Sequence, residues 1–300
     1  MPSEPRPLKP LLVLFPARSG STLLMQLLGT SPQVAFDRVS PFETRYLAFY
    51  LRWAWQLAEA GQRRTHWTAD QIAAERPWAG NWIEPPPFPM PDGFAVDGES
   101  PLWHHAFHTA WREFSARARR REACAPGLHP DVVWYAEKSR TPFRASLQQL
   151  GVEHEVIYLL RDPRDILQSI WAFNEKRGSI GFSVQESETQ HEFAVRFLDE
   201  RRRRLRVLLE MAPKDPHAVV VRYEDMIQDL PAVAARLSAR YGVTFDAAQV
   251  QAQQKDFADH MSSKGPRASI GRWRREMDPS IRDLFAREVG RELAALGYEV

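Results

Sequence analysis

The sequence has very little cysteine, no long apolar run and almost no net charge. Cys124 is the one cysteine in 300 residues. A lone thiol excludes an internal disulfide framework and fits a reducing compartment. Cys124 follows the basic run Arg117-Ala118-Arg119-Arg120-Arg121 in an expected loop, a poor setting for a nucleophile. No apolar stretch approaches the roughly 20 residues needed to span a membrane. The N-terminus, with Pro2, Pro5, Pro7 and Pro10, has no apolar signal segment. These absences predict a cytoplasmic location and no stable membrane insertion. Forty Lys and Arg against 38 Asp and Glu leave a formal charge of +2, which gives no electrostatic case for nucleic acid as a partner. A hydrophobic content of 44% and a charged content of 26% are those of a globular domain. The length suits one α/β domain over 1–300.

The chain is organised around Leu11 to Leu28. Leu11 to Phe15 is an apolar run of strand length, and Pro16 ends it. Ser19, Gly20, Ser21 and Thr22 are small and polar, and Leu23, Leu24, Leu27 and Leu28 then recur at helical spacing. Strand, tight loop and helix make an anion site from the free N–H groups and positive dipole end of the first helical turn. Arg18 adds a permanent charge. A Walker A loop would carry Gly at position 15 and Lys at position 21, where this chain has Phe15 and Ser21. The pattern therefore predicts a phosphate-type loop that is not an ATP/Mg²⁺ loop.

Further strands are expected at Pro32 to Phe36, Asp131 to Ala136, Glu155 to Leu160 and Ala218 to Val221. Ser40, Pro41 and Glu43 read as N-cap, N1 and N3 of a helix running to about Ala60, with a capping box. Asp162 and Pro163 read as the cap and first residue of another helix. A long helix is expected over 185–212, its Arg201 to Arg204 forming a solvated face. Three more are expected near 230–240, 246–256 and 280–296, with a loop at 262–275. Strand–helix alternation implies an α/β fold: a parallel sheet of about five strands with helices on both faces. Residues 61–130 break this rhythm as an aromatic-rich, largely helical insertion. Seven of the ten tryptophans lie between Trp53 and Trp111. The insertion either packs its aromatics into a small core of its own or forms an acceptor-side lid. Arg18, Lys138 and Arg161 all fall at expected strand ends, where such sheets bind ligands.

The segment Pro16-Ala17-Arg18-Ser19-Gly20-Ser21-Thr22 resembles the 5′-phosphosulfate loop of the sulfotransferases, P-[KR]-S-G-[ST]-T. Arg161-Asp162-Pro163-Arg164-Asp165-Ile166-Leu167-Gln168-Ser169 is similar to that family's 3′-phosphate motif, R-D-P-x-[DE]-x-x-x-S. Lys264-Gly265-Pro266-Arg267-Ala268-Ser269-Ile270-Gly271-Arg272-Trp273-Arg274 is similar to its C-terminal basic loop ending in G-x-W-[KR]. The resemblance runs from residue 11 to residue 274, leaving 61–130 unmatched. It implies a P-loop-like sulfotransferase that moves a sulfuryl group from 3′-phosphoadenosine-5′-phosphosulfate (PAPS) to an acceptor hydroxyl by direct in-line transfer, without a metal. The product nucleotide would be adenosine 3′,5′-bisphosphate. Donor-binding residues implied are Arg18, Ser19, Gly20, Ser21, Thr22, Arg161, Ser169, Lys264, Gly265, Arg267, Ser269, Arg272 and Trp273.

The acceptor proton needs a base. Glu43-Thr44-Arg45 resembles the E-T-R segment of the tyrosylprotein sulfotransferases, whose Glu is the base, and Lys138 in Glu137-Lys138-Ser139 matches the Lys aimed at the transferring sulfate. Glu43, Arg18 and Lys138 are thus the expected catalytic residues, with His104, His105 and His108 as the other candidates for the base. The acceptor could be a small molecule, lipid, glycan or peptide bearing a hydroxyl. The alternatives are a P-loop-type kinase, which would need an acidic Mg²⁺ site, and a nucleotide-binding module without sulfuryl transfer.

Overall fold

The computed structural model describes residues 6–59, 102–119, 132–139, 141–253 and 265–300. Its strands are β1 (Lys9–Leu14), β2 (Val34–Ala35), β3 (Trp134–Ser139), β4 (Glu155–Leu160) and β5 (Ala218–Arg222). They form a five-stranded sheet in the order β2-β3-β1-β4-β5. The β2–β3 and β4–β5 pairs are parallel, with Val34 opposite Trp134 and Val156 opposite Ala218. This is the expected α/β architecture. Strands buried on both faces read as continuous apolar runs, as Leu11 to Leu14 and Val156 to Leu160 do. No helix among the described residues is long and apolar enough to cross a membrane.

The chain divides into two compact units, 1–12 with 32–155, and 13–31 with 156–300. In the first, α2 (Tyr46–Glu59) packs on α3 (Leu102–Arg119). Their rings interlock: Trp111 stacks on Phe114 at 5.1 Å, and Tyr135 meets the edges of both. The described part of the 61–130 insertion thus places Phe107, Trp111 and Phe114 in the core of this unit. Residues 60–101 and 120–131, with Cys124, lie outside the described residues. The start of β1 is fastened to α3 by Trp111 Nε1 donating to the Leu8 carbonyl (2.9 Å) and Leu8 N–H donating to Ser115 Oγ (2.9 Å).

In the second unit, α1 (Ser21–Gly29) follows β1, and α5 (Pro163–Arg177) follows β4, the helix Thr141–Gln149 being α4. Asp162 caps α5 as expected, accepting from Arg164 N–H at 2.9 Å. The long α6 (Gln190–Glu210) starts later than 185, at a capping box of Thr189 and Glu192. It packs on the C-terminal helix Pro279–Ala295 around Phe193, Phe197, Leu198, Phe285 and Val289. The arginine run on α6 is not a uniformly solvated face. Arg201 is 6% exposed and lies over the Phe197 ring at 4.4 Å, because it falls on the stripe that carries Phe197, Leu198 and Leu205 into the core.

Two expected boundaries are displaced. The helix read from Ser40 begins only at Tyr46. Phe42 has φ 63°, which no right-handed helix accepts. Asp37 instead gathers this segment into a turn, accepting from Val39 N–H at 3.1 Å and from the Thr44 hydroxyl, while Phe42 N–H donates to the Val39 carbonyl at 2.8 Å. The capping box of Ser40 and Glu43 therefore does not form. The third strand lies at Trp134–Ser139, not Asp131 to Ala136, so Glu137 and Lys138 are buried strand residues.

Ser115 is fully buried and supplies the acceptor for Leu8 N–H. Ser115→Ala should leave that N–H without a partner and destabilise the protein by about 1–3 kcal/mol. Urea unfolding checks this, and an unchanged midpoint would show that the bond contributes nothing.

Candidate active site

In the second unit, β1 runs into the loop Phe15 to Gly20 and then α1. Gly20 occupies the N-cap position with φ 91° and has no side chain to satisfy the first-turn N–H groups. Ser19 is not the cap: it is buried, and its Oγ donates to the Pro16 carbonyl at 2.7 Å, closing the loop. A Cβ on Gly20 would stand 2.3 Å from Cδ2 of Tyr223, so glycine is required by the neighbouring ring as well as by φ. Ser21 is buried in the first turn and Thr22 half-buried beside it.

Arg161, at the end of β4, is 5% exposed. Its Nη1 donates to the Arg18 carbonyl (2.7 Å), its Nη2 to the Ser269 carbonyl (3.0 Å), and its guanidinium lies over the Tyr223 ring at 4.2 Å. Its buried Nε has no hydrogen-bond partner among the described residues. Arg18 has φ 62°, donates from Nε to Ser169 Oγ at 3.2 Å, and lies over Phe173 at 4.2 Å. Burial first, then the charge of Arg161, pushes the Arg18 guanidinium down to about 10, so it stays charged at neutral pH. Arg18, Ser169, Arg161 and Ser269 are thereby joined in one hydrogen-bonded chain.

Asp165 explains how the C-terminal basic loop is held. It does not pair with Arg161. It accepts from Gly271 N–H (2.7 Å) and Trp273 N–H (3.0 Å), and burial pushes it up to about 6 against those two bonds. Trp273 is buried with its ring over Arg164 at 3.6 Å. Ser269 Oγ donates to the Pro266 carbonyl and meets Tyr223 Oη at 2.8 Å. Arg267 is exposed, Gly265 is half-buried, Arg272 pairs with Glu276 one turn on, and Lys264 lies outside the described residues. Tyr223 and Glu224 were not singled out from the sequence. Glu224 accepts Asp162 N–H at 3.0 Å and the Tyr298 hydroxyl at 3.1 Å. Their position directly after an apolar strand was the available signal.

In the first unit, Lys138 Nζ donates to the Pro41 carbonyl at 2.6 Å and stands 3.6 Å from Glu43 Oε1. Glu43 is half exposed, while the Lys138 side chain is 1% exposed. Burial pushes Lys138 down to about 8, opposed by Glu43 and reinforced by Arg45. The two residues expected to handle acceptor proton and sulfate are therefore an ion pair. Of the histidines, His108 Nε2 meets the Leu150 carbonyl at 3.0 Å, His104 packs against Trp103 at 4.2 Å, and His105 is exposed.

The loop after β1, the buried arginine after β4 and the basic loop tied to the same helix sit on a five-stranded sheet of the P-loop-like α/β class. The model of the sulfotransferase family matches residues 10–247, and the chain belongs to that family. The sulfotransferase domain of the Synechococcus PCC 7002 olefin synthase shares the fold at a TM-score of 0.53 and 16% identity, over 100% of this chain and 98% of that one. A mouse sulfotransferase, SULT7A1, solved with PAP, gives 0.48 and 12% identity over 97% and 85%. Sulfotransferase STF9 from Mycobacterium avium gives 0.44 and 14% over 99% and 79%. Among curated proteins none matches this chain.

The depressed Lys138 has a consequence for stability. Between about 8 and its ordinary 10.5 the folded protein has lost a proton that the unfolded chain keeps, so unfolding takes up a proton and stability rises with pH there. Lys138→Met should abolish that rising contribution. Urea unfolding of both proteins across this range checks it, and parallel curves would refute the shift.

Proposed function

We propose that this sulfotransferase uses PAPS as donor and a hydroxyl compound as acceptor. The observation that carries the donor assignment is the buried Arg161, which among the described residues pairs with no carboxylate and keeps one N–H without a partner. A buried donor left unsatisfied is costly, and a phosphate oxygen is its natural acceptor. The residues present fit such a ligand: Arg161, Ser169 and the loop 265–273 would hold the 3′-phosphate, and the first-turn N–H groups of Ser21 and Thr22 with Arg18 the 5′-phosphosulfate. The donor supplies an activated sulfuryl group. Arg18 and Lys138 place positive charge where the transferring group and leaving phosphate accumulate negative charge. Glu43 takes the acceptor proton, its Oε1 standing 3.6 Å from Lys138 Nζ. A half-exposed base beside a cation suits an acceptor that enters from solvent. We place the reaction in the cytoplasm, in keeping with the lone cysteine.

Arg161→Ala should weaken binding of adenosine 3′,5′-bisphosphate by about tenfold or more, from the roughly 1.5–3 kcal/mol of a charge-assisted contact. Adenosine 5′-phosphate, without the 3′-phosphate, should lose little. Titration calorimetry with both ligands decides it, and equal losses would refute the assignment. Glu43→Gln should lower transfer from radiolabelled PAPS to acceptors in a fractionated extract by at least about a hundredfold, with bisphosphate affinity little changed. Retention of most of the activity would move the base elsewhere.

A further inference from the structure

Helix α2 starts immediately after Glu43-Thr44-Arg45. Its first intrahelical bond runs from Phe49 N–H to the Arg45 carbonyl at 3.0 Å, so the N–H groups of Tyr46, Leu47 and Ala48 must find acceptors outside the helix. All three find them on β3. Tyr46 N–H donates to Tyr135 Oη at 3.2 Å, Leu47 N–H to Glu137 Oε2 at 2.8 Å, and Ala48 N–H to Glu137 Oε1 at 3.1 Å. Tyr135 Oη in turn donates to Glu137 Oε2 at 2.9 Å.

Glu137 is 1% exposed. Burial pushes its carboxyl up to about 7, opposed by the donors that converge on it, the Tyr135 hydroxyl and the N–H groups of Leu47 and Ala48. The next residue along the strand, Lys138, holds the Pro41 carbonyl and faces Glu43. Adjacent strand residues therefore pin the stretch 41–48 on either side of Glu43.

We propose that Glu137, with Tyr135, is a positioning residue for Glu43: it fixes the first turn of α2 and so keeps the Glu43 carboxylate within reach of Lys138. This rests on the reading of Glu43 as the base only for its consequence in turnover. The geometry itself can be tested without an acceptor. Gln at 137 keeps one acceptor oxygen but turns an NH₂ group toward a backbone N–H, so one of the two bonds is lost.

The test uses the full chain with lysine ε-carbons labelled for NMR, following the Lys138 titration in wild type, Glu43→Gln, Glu137→Gln and the double variant. Removing the Glu43 charge should lower the Lys138 midpoint by about 1 pH unit. Glu137→Gln should lower it in the same direction and by no more, and the double variant should match Glu43→Gln alone, because both act through one contact. Hydrogen exchange of the amides of residues 46–48 should quicken at least about tenfold in Glu137→Gln while those of α5 keep wild-type rates. Should Glu137→Gln fail to fold, Tyr135→Phe, which removes only the hydroxyl, carries the same measurements.

A Lys138 midpoint unchanged in Glu137→Gln, full additivity in the double variant, or unaltered exchange at 46–48 would each overturn the proposal. Turnover then separates the two readings. If Glu43→Gln stays active, the base assignment fails and these titration and exchange results stand. If Glu43→Gln is inactive, Glu137→Gln should lose turnover several-fold with bisphosphate affinity within about twofold.

Discussion

A buried arginine held, among the described residues, without a carboxylate is the constraint on which the second unit depends. Arg161 could have been neutralised by Asp165, four residues on and near enough for their charges to interact. It is not, because Asp165 is occupied by the N–H groups of Gly271 and Trp273. Arg161 is stabilised instead by two carbonyl dipoles and the face of Tyr223, which offset part of its desolvation while leaving its net charge intact. The same three contacts bring the β1 loop, the residue after β5 and the C-terminal basic loop around one cation. Asp165 thus has two effects: it anchors the basic loop and it leaves Arg161 available to an anion.

The first unit uses the complementary device. Glu137 and Lys138 are neighbours on β3, both buried, and each is matched to backbone of the stretch 41–48, the carboxylate by N–H groups and the ammonium by a carbonyl. Satisfying a buried charge with backbone dipoles fixes the partner segment in place. It also explains why a strand can carry Glu-Lys at its end.

This is where the sequence was hardest to read. The apolar strands β1, β4 and β5 were legible nearly to the residue, and so were the Asp162 cap and the helices near 230, 247 and 280, since period and capping residues are local signals. Glu137 and Lys138 read as lying just past the end of the third strand because charge is normally a surface signal, and their burial depends on a helix start some ninety positions away. Ser40 to Glu43 carries the letters of a capping box, yet Asp37 and the left-handed Phe42 draw the segment into a turn. Arg201 failed for the same reason as Lys138: its neighbours in the run are on the surface, but it falls on the core-facing stripe. The three motifs of the second unit were visible as motifs. Their coupling through Asp165, Tyr223 and Glu224 was not, because it is made by contacts between residues 46 to 108 positions apart.

The choice of cation in each half follows from what burial does to it. Desolvation lowers both Arg18 and Lys138, but a guanidinium brought down to about 10 remains charged throughout the physiological range, whereas an ammonium brought down to about 8 lies close to losing its charge. A site proposed to hold a polyanion at any working pH is better served by arginine. Beside the proposed base, a lysine whose charge depends on its neighbours is held up by Glu43 and down by Arg45. Displacing the Glu43 carboxylate would therefore weaken the cation as well as remove the base. The ion pair makes the charge of Lys138 depend on where the Glu43 carboxylate stands.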